Sequence, residues 1–133
     1  MLVSLAGMLA ALSWAFWGAR TGTPDGDQVI AMTAENFKFT PSEVRVKTGR
    51  KLTLKVTSID DKHGIAFKLI PEGQPEGSPA GLQFSKSPPD WVLEKGNEVT
   101  IEFTAVRSGR YEFACSVFCG MGHNGMLGRV IVE

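Results

Sequence analysis

The sequence predicts an all-β domain behind a single N-terminal helix. Three observations carry this: 19 uncharged residues at the start, hydrophobic alternation of period two from Val29 onward, and Gly- and Pro-containing turn signals between the alternating runs. In a chain of 133 residues, 15 Gly and 7 Pro favour short strands over long helices. The length suits one domain of ordinary size.

Residues 1–19, MLVSLAGMLAALSWAFWGA, hold no charged side chain. As a helix they span about 28 Å, close to the hydrocarbon thickness of a bilayer. Trp14 and Trp17 sit at its end, where aromatic rings favour the interface. An export signal wants a charged start and a small-residue cleavage site. Here no Lys or Arg precedes the apolar run, and bulky aromatics fill the cleavage position. The expectation over 1–19 is a membrane anchor, with an uncleaved signal as the other reading. Arg20 follows directly, which by the positive-inside rule weighs against export of what comes next. Residues 20–28, RTGTPDGDQ, read as a linker, and 29–133 as the folded domain.

Within the domain, KLTLKVTS alternates Leu52, Leu54 and Val56 with polar neighbours, giving one buried and one wet face. EVTIEFT does the same with Val99, Ile101 and Phe103. GRYEFAC puts Tyr111, Phe113 and Cys115 on one face, EVRV puts Val44 and Val46 on one face, and GRVIVE forms a last strand. Turn signals fall at 40–42, 47–49, 95–97 and 107–109. Short strands at this spacing indicate an antiparallel β-sandwich or barrel. Residues 71–91, rich in Pro, Gly and Ser, read as a long surface loop with a short helix near Ala80 to Phe84. The formal net charge is zero, so no basic excess is available to hold nucleic acid.

The stretch CSVFCGMGHNGM, residues 115–126, concentrates the chemistry. It holds both cysteines of the protein and one of its two histidines. Cys115, Cys119 and His123 are spaced by four, and Met126 follows three later. Gly120, Gly122 and Gly125 each weaken a helix by about 1 kcal/mol relative to Ala, so a tight loop between two strands is expected, with glycines folding the ligands inward. His63 comes from a separate turn after Asp60, Asp61 and Lys62. A disulfide between Cys115 and Cys119 would explain neither His nor Met. Zinc would accept His63, Cys115, Cys119 and His123 as a closed tetrahedral site, leaving Met126 without a reason. A single blue-copper ion needs two His, one Cys and an axial Met, leaving one thiol over. Two copper ions use the whole set: the sulfurs bridge, each metal takes one imidazole, Met126 caps one ion, and a loop carbonyl caps the other.

The string CSVFCGMGHNGM, with the distant KHG and the opening FKFTPSEVRVKTG, resembles the binuclear purple-copper (CuA) signature of the cupredoxin superfamily. It is similar to the soluble domain of cytochrome c oxidase subunit II and to stand-alone cupredoxins sharing that site. The resemblance covers most of residues 28–133. It implies a cupredoxin-like Greek-key β-sandwich or barrel holding two copper ions. His63 and His123 would be the imidazole ligands, Cys115 and Cys119 the bridging thiolates, Met126 an axial ligand, and Val117 the other through its carbonyl oxygen. It further implies one-electron transfer on the outer side of a membrane, with a redox donor such as a c-type cytochrome and an oxidase catalytic subunit as partner. Any enzyme activity would then belong to the complex. The alternative function for the same ligands is copper delivery by a periplasmic chaperone or metallation factor. The sequence departs at Val117, where subunit II usually carries a Glu that helps bind magnesium at the boundary with the catalytic subunit.

Further expectations concern the surroundings. Asp60 or Asp61 would accept a hydrogen bond from the outer nitrogen of His63. Met32, Met121 and Trp91 are expected to pack. Phe118, Met121, Asn124 and Met126 would rim the site as an apolar docking patch.

Overall fold

The computed structural model describes residues 26–117 and 120–133. The anchor expected over 1–19, most of the linker, Phe118 and Cys119 lie outside the described residues. No helix among the described residues is long and apolar enough to cross a membrane.

Among the described residues, ten strands follow in order: β1 (Gln28–Glu35), β2 (Lys38–Thr40), β3 (Glu43–Val46), β4 (Lys51–Ser58), β5 (His63–Phe67), β6 (Leu82–Phe84), β7 (Asp90–Leu93), β8 (Glu98–Ala105), β9 (Gly109–Ala114) and β10 (Leu127–Val132). One sheet has the order β2-β1-β4-β8-β6 and the other β3-β10-β9-β5-β7. The chain changes sheet at every connection from β2 through to β9. Most neighbours are antiparallel, but β1 runs parallel to β4 and β3 runs parallel to β10. The result is an all-β sandwich.

The alternation seen in the sequence is the alternation of burial. Leu52, Leu54 and Val56 of β4 are buried, as are Ile101 and Phe103 of β8. They meet in register, with Leu52 opposite Phe103 and Leu54 opposite Ile101. From the second sheet, Val44, Val46, Ile65, Phe67, Tyr111, Phe113, Val130 and Val132 complete one core. Burying each large apolar side chain contributes about 1.5–3 kcal/mol relative to exposure. Tyr111 is fully buried yet satisfied, because its hydroxyl donates to the Arg107 carbonyl at 2.8 Å.

Residues 71–91 are more ordered than a loop. The short helix expected near Ala80 to Phe84 is instead β6, an edge strand whose Leu82 and Phe84 pair with Ala105 and Phe103. β7 pairs with β5, placing Trp91 opposite Ile65. Trp91 packs as expected, with its ring 6.1 Å from Phe67 and 5.7 Å from Phe84.

β10 lies between β3 and β9, which fixes the strand that leaves the 115–126 loop. Gly128 permits this packing: a Cβ there would sit 2.2 Å from Cζ of Phe113 and 2.7 Å from the Ser42 carbonyl oxygen. Gly128→Ala should therefore displace Phe113 and cost about 1–3 kcal/mol. Urea unfolding monitored by fluorescence checks this, and an unchanged midpoint would show that the Phe113 ring is not confined.

Candidate metal centre

The expected ligands come from two places that the second sheet brings together. β9 and β10 form an antiparallel pair that ends with Ala114 opposite Leu127. Cys115 and Met126 are the next residues outward, and the Cys115 N–H donates to the Met126 carbonyl at 3.0 Å. Both are buried, Cys115 at 6% exposure and Met126 at 0%. β5 lies on the other side of β9, with Ala66 opposite Ala114, so the start of β5 runs beside the loop. Gly64 allows the approach, since a Cβ there would fall 2.3 Å from Oγ of Ser116 and 2.9 Å from the Val117 nitrogen.

His63 opens β5 and is 1% exposed. Its ring is fixed from outside by Asp60, whose Oδ1 lies 2.8 Å from Nε2. A carboxylate only accepts, so Nε2 carries a proton, and the neutral tautomer with that proton has its lone pair on Nδ1. Nδ1 is buried and has no hydrogen-bond partner among the described residues. A buried polar atom without a partner costs about 1–3 kcal/mol, and an unpartnered imidazole nitrogen is also the form that binds a metal ion.

Asp60 is itself held. Its Oδ2 accepts the Asn36 N–H at 3.0 Å, while the Ser58 hydroxyl donates to the Asp61 carbonyl and fixes the turn. The hydrogen bond from Asn36, and then that from His63, draw the Asp60 carboxyl below its ordinary range. Of the two aspartates considered from the sequence, Asp60 is the one that meets His63; Asp61 instead accepts the Lys62 N–H.

The thiol of Cys115 donates to the Val117 carbonyl at 3.0 Å, so that carbonyl is turned toward the sulfur. Ser116 ties the loop to β7 by donating to Oδ1 of Asp90 at 2.5 Å. His123 begins a single 3-10 turn, His123–Gly125, and is half-buried. Its N–H donates to the Gly120 carbonyl, and its carbonyl accepts the Met126 N–H. Among the described residues, no three His, Cys, Asp or Glu side chains converge as a metal cluster. Cys119 lies outside those residues. His63, Cys115 and Met126 are each buried, Cys115 is bonded to Met126 through the backbone, the Val117 carbonyl faces the Cys115 sulfur, and the residue after His63 lies against Ser116 and Val117.

Two expectations about the surroundings change. Met32 packs in the core, but Met121 is 98% exposed, which agrees with a place on the rim and not with packing. Met126 is buried and so cannot join an exposed rim. Phe37 had no assigned part, yet its ring centroid is 6.5 Å from that of His63, edge to face. Asn36 was the one available signal, since Asn favours the first position of a two-residue hairpin turn.

A β-sandwich with its donors on the loop between its last two strands and on a neighbouring strand defines the class. The chain belongs to the cupredoxin-like domain family, whose model matches residues 8–132. It is similar to cytochrome c oxidase subunit 2 of Thermus thermophilus, with 27% identity over 111 residues, 84% of this chain and 70% of that protein. The same subunit from a second strain of that species is also 27% identical, and the chain spans 56% of its length. Nitrous-oxide reductase of Pseudomonas fluorescens is 28% identical over 82% of this chain but only 15% of its own length. Among solved structures, a heme-copper terminal oxidase dimer matches with TM-score 0.62 and 22% identity, over 83% of this chain and 66% of that one. Auracyanin A, a blue copper protein from Chloroflexus aurantiacus, matches with TM-score 0.60 and 18% identity, over 81% of this chain and 100% of that one. Auracyanin from Roseiflexus castenholzii matches with TM-score 0.55 and 27% identity, over 79% and 96%. The fold is thus related to oxidase subunit II and to blue copper proteins.

Asp60→Ala removes the acceptor that holds both the His63 Nε2 proton and the Asn36 N–H. It should destabilise the metal-free protein by about 1–3 kcal/mol, measured by urea unfolding at neutral pH. Because the Asp60 carboxyl is lowered in the fold, its contribution is present above the ordinary carboxylate range and fades as pH falls through the folded value. The loss on substitution should therefore shrink in acid; a pH-independent difference would contradict the assignment.

Proposed function

We propose that this domain transfers single electrons through a binuclear copper centre of the CuA type, held by His63, Cys115, Val117, Cys119, His123 and Met126. The observation that carries the reading is the Nδ1 atom of His63, buried and unpartnered while Nε2 is fixed by Asp60. The residues fit the group. Thiolate, thioether and imidazole are the donors that suit copper, and Cys115 and Met126 are buried beside each other at the mouth of the β9–β10 pair. Copper held by these residues would supply one-electron redox chemistry.

The chain supplies a mounting that does not have to move. β5 holds His63, β9 leads into Cys115, and β10 leads out of Met126. The Cys115 N–H bond to Met126 keeps those two at fixed spacing. The Ser116 bond to Asp90 anchors the loop from the side. Val117 would act through its carbonyl, so its lack of a carboxylate leaves the copper site intact. It removes one tie to an oxidase catalytic subunit. His123, half-buried beside exposed Met121 and Asn124, would be the route by which the electron enters or leaves.

Partners follow from the relatives: a redox donor such as a c-type cytochrome, and an oxidase catalytic subunit. With the uncharged segment 1–19 as anchor, the domain would stand on the extracytoplasmic side of a membrane. Copper delivery asks for exposed, labile donors. His63, Cys115 and Met126 are buried, which favours electron transfer over a chaperone.

Loading the reduced chain with copper, counting metal and recording electron paramagnetic resonance tests the reading. Two coppers per chain sharing one unpaired electron supports it; one copper, or a colourless zinc protein, rejects it. Cys119→Ser should leave at most one copper, and an unchanged purple spectrum would contradict the bridge. Met126→Leu should keep both ions and shift the reduction potential, as read by voltammetry; loss of all copper would overturn the axial role.

A further inference from the structure

β1 and β2 are joined by the two residues Asn36 and Phe37, between the paired Glu35 and Lys38. Both have positive φ, 54° and 58°, as a tight hairpin turn of this length requires. Gly is the residue such a turn prefers at its second position, and a bulky side chain there is an outlier. A strained backbone retained in this way points to a use for the side chain. The Phe37 ring stands edge to face with His63. It also lies against the ligand loop: a Cβ on Gly122 would fall 2.4 Å from Cγ of Phe37, and one on Gly120 would fall 2.9 Å from its Cζ. Asn36 meanwhile donates to the Asp60 carboxylate that holds His63. The turn therefore grips His63 twice and touches the Gly120–Gly122 segment of the loop.

We propose that Phe37 is a positioning residue that seals His63 from solvent and locks the β1–β2 turn onto the ligand loop, so that metal enters and leaves only when this ring moves aside. The metal part rests on the copper reading above; the sealing part does not. His63 is 1% exposed while Phe37 itself is 36% exposed, as a plug with one wet face would be.

Phe37→Gly is the informative variant, because it deletes the plug and gives the turn its preferred residue. Its thermal midpoint should equal or exceed that of the parent. In the full metal-free chain, diethyl pyrocarbonate followed by peptide mass mapping should label His123 in both proteins and His63 only in Phe37→Gly. Phe37→Trp should restore protection. In the copper-loaded chain, loss of copper(I) to bicinchoninate should be about tenfold faster in Phe37→Gly, within the range for outer-shell changes at metal sites. Gly122→Ala should speed loss in the parent and add nothing in the Phe37→Gly background. Equal labelling of His63 in parent and Phe37→Gly would overturn the seal, and equal copper loss would overturn the gate. A parent that takes up no copper defeats the copper reading and the gate with it, while the labelling still decides the seal.

Discussion

The bond between Asp60 and Nε2 of His63 decides what the rest of the site is able to do. It sets the tautomer, fixes the plane of the ring, and leaves Nδ1 as a bare donor inside the protein. A buried imidazole without that bond would have two nitrogens to satisfy and no fixed direction. The bond in turn depends on elements far apart in sequence. The turn after β4 carries Asp60, the β1–β2 hairpin supplies the Asn36 N–H, and β5 delivers His63. Three segments must fold before one lone pair is aimed.

The sandwich explains why so short a domain is able to hold such a site. Its interior spends few polar groups: among the described residues the buried polar side chains are Ser58 and His63. Ser58 locks the turn that presents Asp60, by donating to the Asp61 carbonyl. Desolvating His63 is unfavourable alone, and the core of Leu, Val, Ile and Phe side chains on both sheets offsets it. Glycines appear where β5 and β10 must pass close to neighbours, at Gly64 and Gly128.

Much of this was legible in the sequence, and the reason is period. The strands around Leu52–Val56, Val99–Phe103 and Tyr111–Phe113 alternate cleanly, because each has one face on a single core. β6 and β7 were not legible. Residues 82–84 and 90–93 are too short to show a period, and pairing with β8 and β5 decides their conformation. The choice of Asp60 over Asp61 was likewise hidden, since two adjacent aspartates differ only in the direction the turn gives them. Met121 misled because a methionine near a site reads as packing, while the turn beside the 3-10 segment throws it outward. Phe37 was invisible because its role follows from a backbone conformation that its residue type disfavours.

The place of β10 has a consequence for biosynthesis. This strand is interior to its sheet, flanked by β3 on one side and β9 on the other. Until it has been translated and inserted, β3 lacks its neighbour and Cys115 lacks its backbone tether to Met126. The Cys115–Met126 backbone bond and the pairing of β3 therefore form only once the last strand is in place.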